Sequence, residues 1–377
     1  MITLLATGDL VLETPDATAL LSAAASALAG GDVLIGHLEV PHVETARILT
    51  TDVPALPAPP SALDAVAAAG FDVLTLAGNH IYDFGPEGIE ETQRHCADRG
   101  MLTAGAGVDL DAALAPAVVA RGERPVAVLS INCVGPRESW ATSLKPGAAY
   151  IDVITHYEPR GANPGGPPRI FTFAEPRSMA RALDAVRETA ATGAVVVVSL
   201  HKGLVHVPVE IADYEGEIAH AVIDAGAHVV IGHHAHIMKG VEVYRDRPIF
   251  HGLGNFATVT RALSAKPGDA VERAAWARER VRLFGFVPDP QMPDYPFHPE
   301  SRHTAIARVD ISEEGTVTAS LLPCEIDQTA RPVPTGATDR GEAVAQYIRR
   351  ITAEAGFDTE FEWQGDRLAV ARKGAAS

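Results

Sequence analysis

Cysteine is scarce: the 377 residues hold three, Cys96, Cys133 and Cys324, far apart and odd in number. That spacing builds neither a disulfide framework nor a CxxC metal knuckle, and it suits a reducing compartment, with Cys96 and Cys133 expected as small buried hydrophobes. Positive charge is also short, since 31 Lys and Arg against 48 Asp and Glu leave a net charge of −17. Such a chain repels polyanions and offers no basic stripe to follow a phosphate backbone, which excludes nucleic acid as a partner. No apolar run approaches the ~20 residues that a bilayer crossing needs. An export pattern is missing too, because Ile2 to Thr7 reads as a strand broken at once by Gly8-Asp9. A cytoplasmic protein without a membrane role is the expectation. G-x-S-x-G, H-E-x-x-H and the P-loop are absent, and Gly105-Ala106-Gly107 lacks the third glycine of a dinucleotide fingerprint. Serine-hydrolase and nucleotide-cofactor chemistries fall away with them.

What is present is ample core material, 47% apolar residues, arranged in alternating helix-like and strand-like runs over roughly the first 256 positions. That alternation predicts an α/β fold whose strands are mostly parallel. A helix from Ser61 to Ala69 leads to a strand at Asp72–Ala77, a helix from Arg177 to Thr192 to the β-branched run Val195–Val198, and a helix from Tyr214 to Ala225 to His228–Ile231. A glycine separates each pair. The proline-rich stretches Pro54–Pro60 and Pro159–Pro168 read as surface connections. After Phe256 the pattern changes: Asp269 to Arg282 reads as a charged helix, Thr304–Ile311 and Thr316–Leu322 as paired strands, and Arg340–Gly356 as a helix. The expected organisation is a core over 1–256, a lid-like insertion over 257–303 carrying His298, Arg302 and His303, and strands and a helix over 304–377 that complete the core.

In open α/β sheets the residues that follow several strands converge on one crevice. Asp9 follows the first predicted strand, His37 and Glu39 the second, and Asn79-His80, His201, and His234 with His236 the later ones. Each residue alone is ordinary turn or cap chemistry. Together they form a mixed nitrogen and oxygen donor set without thiolate, which suits zinc, manganese or iron. The pair His234-Ala235-His236 can send two imidazoles into one cavity.

The same blocks resemble a known family. Gly8-Asp9, Leu38-Glu39, Gly78-Asn79-His80 with Asp83 and Gly85, His201-Lys202-Gly203, Gly232 to His236 and Leu253 to Phe256 are similar, in order, to the CapA family. These are poly-γ-glutamate capsule biosynthesis type proteins, within the calcineurin-like metallophosphoesterase superfamily. The resemblance spans residues 1 to 256 and continues through Leu322-Pro323. It implies a four-layer α/β/β/α sandwich with a C-terminal appendage, holding one or two divalent ions. By the same resemblance Asp9 and His236 bind the first metal, Glu39 bridges, Asn79, His201 and His234 bind the second, and His80 acts as a general acid oriented by Asp83. His37, Lys202, His206 and Asn255 are further candidates for ligation or substrate contact. Two departures stand out. The superfamily's Asp-x-His reads Asp9-Leu10-Val11 here, which takes an imidazole from the first metal, and the His-x-Gly-x-Glu-Tyr run of CapA relatives reads His201 to His206 with Val205 in place of the glutamate.

The expected function is a metal-dependent hydrolase in which activated water attacks an amide or peptide-like bond, γ-glutamyl bonds included, of a small-molecule or peptide-like substrate. Two rivals are a phosphoesterase using the same centre and a noncatalytic accessory protein of capsule or poly-γ-glutamate synthesis. A third is a protein whose ion only stabilises the fold, although an oxygen-rich donor set suits an open coordination shell better than a closed structural one.

Overall fold

The computed structural model describes residues 1–49, 57–121, 124–158, 167–260 and 271–374, with side chains 272–274 left aside. Of the connections expected at Pro54–Pro60 and Pro159–Pro168, residues 54–56 and 159–166 lie outside these residues, as does the start of the charged helix. Helices form where they were expected, at Ala62–Ala68, Pro176–Ala191, Asp213–Asp224 and Asp339–Glu354. Local chemistry sets their ends. The Glu175 carboxylate accepts from the backbone N–H groups of Arg177 and Ser178, capping the second of these helices. Gly193 and Gly226 follow two of them at φ 81° and 116°, a conformation that a side chain would oppose.

Two large sheets result. The first runs, edge to edge, Thr359–Gln364, Arg367–Arg372, Val317–Ile326, His303–Ile311, Ile2–Leu12, Val33–Leu38, Val73–Thr75 and Leu102–Ala104. Its last four strands are parallel, and the others join antiparallel. The second runs Val241–Tyr244, Arg247–Phe250, Val229–His234, Val195–Lys202, Val126–Asn132 and Ala117–Val119, parallel except at its two edges. Successive side chains on a strand point to opposite faces, so Val195 and Val197 share one core with Val33, Ile35 and Val73 of the first sheet. Val196 and Val198 instead meet Ala182, Val186, Ile218 and Val222 of the helices. On the far side of the first sheet, Leu34, Leu38 and Leu74 pack with Leu20, Leu63, Val66 and Ile89. Strands thus share a core between the sheets, and helices cover an outer face of each.

One expectation needs correction. The first strand does not stop at Gly8 but continues to Leu12, with a register shift between Ala6 and Asp9. The cause is a change of neighbour: residues 2–6 pair antiparallel with His303–Ile311, and residues 9–12 pair parallel with Asn255–Val259 on the same edge. Cys96, Cys133 and Cys324 are buried free thiols, and burial pushes each up to about 12. Among the described residues no helix is long and apolar enough to cross a membrane.

Candidate metal centre

Carboxyl ends of strands from both sheets meet at one edge. Asp9 lies in register with His37 on one neighbouring strand and Asn255 on the other. Its backbone N–H donates to the Gly254 carbonyl at 2.9 Å. Gly8 allows this approach, because a Cβ there would fall 2.0 Å from that same oxygen. Gly232 is held alike: an added Cβ would fall 2.0 Å from the His251 carbonyl oxygen. His234 and His236 both take left-handed backbone, at φ 84° and 53°. Imidazole residues held in this sparsely populated region signal a surrounding structure that over-determines them, a common feature of functional sites. In register His234 faces Lys202, whose side chain leaves on the other face, yet the His234 ring lies 4.6 Å from that of His201.

Two groups of donors follow. Asp9, Glu39 and His236 each place a ligand-type atom within 4.8 Å of the others, and so do Glu39, His201 and His234. Glu39 belongs to both. His236 stands between carboxylates, with Nδ1 3.4 Å from Asp9 Oδ2 and Nε2 3.2 Å from Glu39 Oε1. Asn79 Oδ1 is 2.8 Å from His201 Nε2, and Asn255 Oδ1 is 3.0 Å from His236 Nδ1. Several buried atoms lack a hydrogen bond: Glu39 Oε2, His37 Nε2, His201 Nδ1 and His234 Nδ1 make none, and Asp9 Oδ2 has only His236 Nδ1 at 3.4 Å. Leaving one such group unsatisfied costs ~1–3 kcal/mol, so several of them on side chains that meet here point to something that satisfies them together. Lone-pair donors of this kind fit a divalent cation.

Electrostatics separate the imidazoles. Burial alone would lower His236, but the charges of Glu39 and Asp9 and their hydrogen bonds outweigh it and raise the ring well above its usual value. Burial would raise Asp9, yet hydrogen bonds from His233 and His236 hold the carboxyl below the usual range. Burial, then the charge of His236, pushes His234 down to about 3, and burial with neighbouring imidazoles lowers His201 and His37 as well. His201 and His234 are thus neutral, the form that ligates, while His236 between the two carboxylates would give up a proton to do so.

His80 lies beside this group, its Nδ1 2.8 Å from Asp83 Oδ2. Burial would lower it, but the Asp83 hydrogen bond and charge win and raise it. His80, Asn79, Glu39, His206, His234 and His236 border one cleft of about 150 Å³. His206, at φ 62°, packs edge-on against Phe284 and Phe286 with its Nδ1 unpartnered. His37 stacks on His233 with ring centroids 4.6 Å apart and lies tilted against His201 at 4.7 Å.

Lys202 needs correcting as a site candidate. It follows His201 on the strand and so points to the opposite face, where its buried ammonium lies 2.9 Å from Glu215 and 3.1 Å from His251. Nor do His298, Arg302 and His303 line the cleft; Trp276, Phe284 and Phe297 do so from that part of the chain. Arg302 is engaged by the Ile326 carbonyl and Glu325. Besides the cleft residues Glu13, Thr260, Trp276, Phe284 and Phe297, one residue in contact with the donors escaped sequence reasoning. His233 donates from Nδ1 to Asp9 Oδ1 at 2.9 Å and supports the carboxylate from behind. Its signal was its place in Gly232-His233-His234, beside a candidate ligand.

The profile of the bacterial capsule synthesis protein PGA_cap matches residues 3–260. The chain belongs to the PGA_cap family. Two sequences from Mycobacterium tuberculosis strains named "Probable polyglutamine synthesis accessory protein" are 32% identical to this PGA_cap chain over 206 residues, covering 52% of it and 47% of the relative. "PGA biosynthesis protein CapA" of Bacillus subtilis is 28% identical over 187 residues, covering 49% and 42%. "Capsule biosynthesis protein CapA" of Bacillus anthracis is 24% identical over 314 residues, covering 81% and 59%. The chain spans about half the length of the curated relatives it matches.

Proposed function

We propose that this PGA_cap chain is a metal-dependent hydrolase of amide or peptide-like bonds, γ-glutamyl bonds among them. The observation that carries the reading is the pair of donor groups sharing Glu39, whose members Glu39, His201 and His234 each hold a buried atom without a hydrogen bond. In this reading Asp9, Glu39 and His236 hold one divalent ion, and Glu39, His201 and His234 with Asn79 hold a second. The two sheets and their outer helices form the four-layer α/β/β/α sandwich, and Trp276, Phe284 and Phe297 wall the cleft beside the centre.

A divalent ion bound there supplies Lewis acidity and a water of lowered pKa. The chain supplies the rest. Asp83 fixes Nδ1 of His80, which leaves Nε2 to carry a proton to the departing nitrogen. Asn255 and His233 hold His236 and Asp9 in place from behind, the outer support that keeps ligands oriented. The amide assignment rests on relatives named for polyglutamine and PGA synthesis.

Metal analysis and thermal melting test the centre together. Purified protein is expected to retain manganese, zinc or iron, and chelation to lower its Tm. A ligand present at a hundred times its Kd adds ~2.7 kcal/mol. Asp9→Asn and His234→Ala are expected to lose both the metal and the shift, and an unchanged metal content in both would sink the assignment. A panel of γ-glutamyl and other amides against p-nitrophenyl phosphoesters, with manganese or zinc added, tests the chemistry. Faster turnover of the phosphoesters moves the reading to a phosphoesterase. The word "accessory" in the names of the Mycobacterium tuberculosis relatives favours a second reading, a noncatalytic role in polymer synthesis. Metal retention with no turnover of any substrate selects it.

A further inference from the structure

A run of hydrogen bonds ties a segment far along the chain to the proposed ligand His236. Asn255 is fully buried and turns Oδ1 to His236 Nδ1 at 3.0 Å. Its Nδ2 lies 3.0 Å from the Tyr295 hydroxyl and reaches the His236 carbonyl less closely, at 3.4 Å. The Tyr295 hydroxyl in turn lies 2.8 Å from the Ser301 carbonyl and 3.0 Å from Ser301 Oγ. Tyr295 and Ser301 are buried as well, so the polar atoms of this run are satisfied by one another.

Chemistry fixes the direction of each link. A backbone carbonyl only accepts, so the Tyr295 hydroxyl gives its one hydrogen to Ser301 and meets Asn255 with an oxygen lone pair. Burial pushes the phenol up, which keeps that hydrogen in place. Facing a lone pair, Asn255 presents its NH2 group, and Oδ1 is left to accept from the Nδ1–H of His236. Asp9 Oδ2, 3.4 Å from the same Nδ1, favours the same arrangement. The ring therefore stands with Nε2 toward Glu39 Oε1, 3.2 Å away. An amide turned over would offer NH2 to Nδ1, and a neutral ring would then carry its hydrogen on Nε2, where an ion needs a lone pair.

We infer that Tyr295 is a positioning residue of the proposed centre, acting through Asn255 to hold His236 with Nδ1 as donor and Nε2 as the atom offered to the ion. Its hydroxyl bonds Asn255 and Ser301 and no proposed ligand. Tyr295 and Ser301 also lie beyond residues 3–260, where the PGA_cap profile matches, so a segment outside the match supports a ligand inside it. This rests on the reading of His236 as a ligand, but one arm of its test needs no metal.

Tyr295→Phe deletes the hydroxyl and keeps the ring, which packs on Phe297 with centroids 5.0 Å apart. Manganese is titrated calorimetrically into the metal-free full chain. The variant is expected to bind one ion about tenfold or more weakly, the usual loss when such support is removed, and to hold any second ion as wild type does. Asn255→Ala is expected to show the same loss, and the double variant no more than either, because both act on one link. In the metal-free arm, the chain carries 15N-labelled histidine, and the His236 Nδ1–H resonance is assigned by its absence from His236→Gln. It is expected to be resolved in wild type and to broaden or vanish by exchange in Tyr295→Phe. Unchanged manganese affinity in Tyr295→Phe, equal weakening of two ions, or a loss that adds in full to that of Asn255→Ala overturns the inference. If wild type takes up no metal, the reading of the centre fails by itself and the resonance decides alone: its loss in Tyr295→Phe upholds the positioning of His236, and its persistence overturns it.

Discussion

Asp9 shows how tightly the centre depends on atoms that carry no chemistry. Its carboxylate meets His233 and His236, but its position comes from Gly8, which lets the strand approach the Gly254 carbonyl. A methyl group at residue 8 would sit 2.0 Å from that oxygen, and backbone cannot move aside as a flexible side chain can. Gly8→Ala is therefore expected to cost ~1–3 kcal/mol or more, the range for overpacking, and to lower metal content by displacing Asp9. Denaturant unfolding and metal analysis of the same preparation check both. A variant of wild-type stability and full metal content would show that the strand yields more easily than its packing implies. The ligand-type residues were legible in the sequence because each follows an apolar run. What hid His233 is that it supports Asp9 across 224 positions of sequence, a contact with no local mark.

At the scale of elements, the alternation of strands decided which predictions held. Helix and strand positions came through because apolar periodicity and closing glycines are local signals. The first strand was cut short because its continuation depends on Asn255–Val259, a partner that no neighbouring residue announces. Lys202 was misplaced for a related reason: a motif places it beside His201, whereas the pleat sends it to the opposite face. There it joins Lys239 on the buried carboxylate of Glu215, with Nζ atoms 2.9 and 3.2 Å from its two oxygens. Burial would raise Glu215, but the two ammonium groups outweigh it and bring it down to about 2 from an ordinary 4.5. Between those values the unfolded chain binds a proton that the folded one refuses. The stabilisation is thus complete above pH 4.5 and fades as pH falls toward 2. Glu215→Gln leaves two buried ammonium groups without their anion, a loss expected at ~3–5 kcal/mol near neutral pH. Urea midpoints at pH 7, 5 and 3.5 are expected to show the gap between wild type and variant narrowing only below pH 4.5. A gap constant across that range would refute the role given to the carboxylate.

At the scale of the molecule, the family match and the fold do not share a boundary. The match ends at residue 260, but the antiparallel partner of the first strand comes from His303–Ile311. Ala305, Ala307, Val309 and Ile311 of that strand lie in the core between the sheets, joined by Val344, Ile348 and Ile351 of the helix Asp339–Glu354. Without them the edge of residues 2–6 would open to solvent beside an apolar face, and an unpaired edge of this kind invites aggregation. The same edge governs Asp9, because Thr304 donates to the Leu253 carbonyl at 3.0 Å, next to the glycine that Gly8 approaches. A chain cut after Arg302 is therefore expected to lose cooperative unfolding and to be digested rapidly by protease. A milder change separates packing from gross loss. Ile348→Ala removes a fully buried side chain and is expected to cost ~2–5 kcal/mol, while the proposed metal donors, which lie on other elements, keep their positions. Calorimetric melting is expected to show a lowered Tm with metal content unchanged. If the cut chain melts cooperatively within a few degrees of the intact protein, residues 303–374 are an addition to an independent core and not the strand and helix that close it.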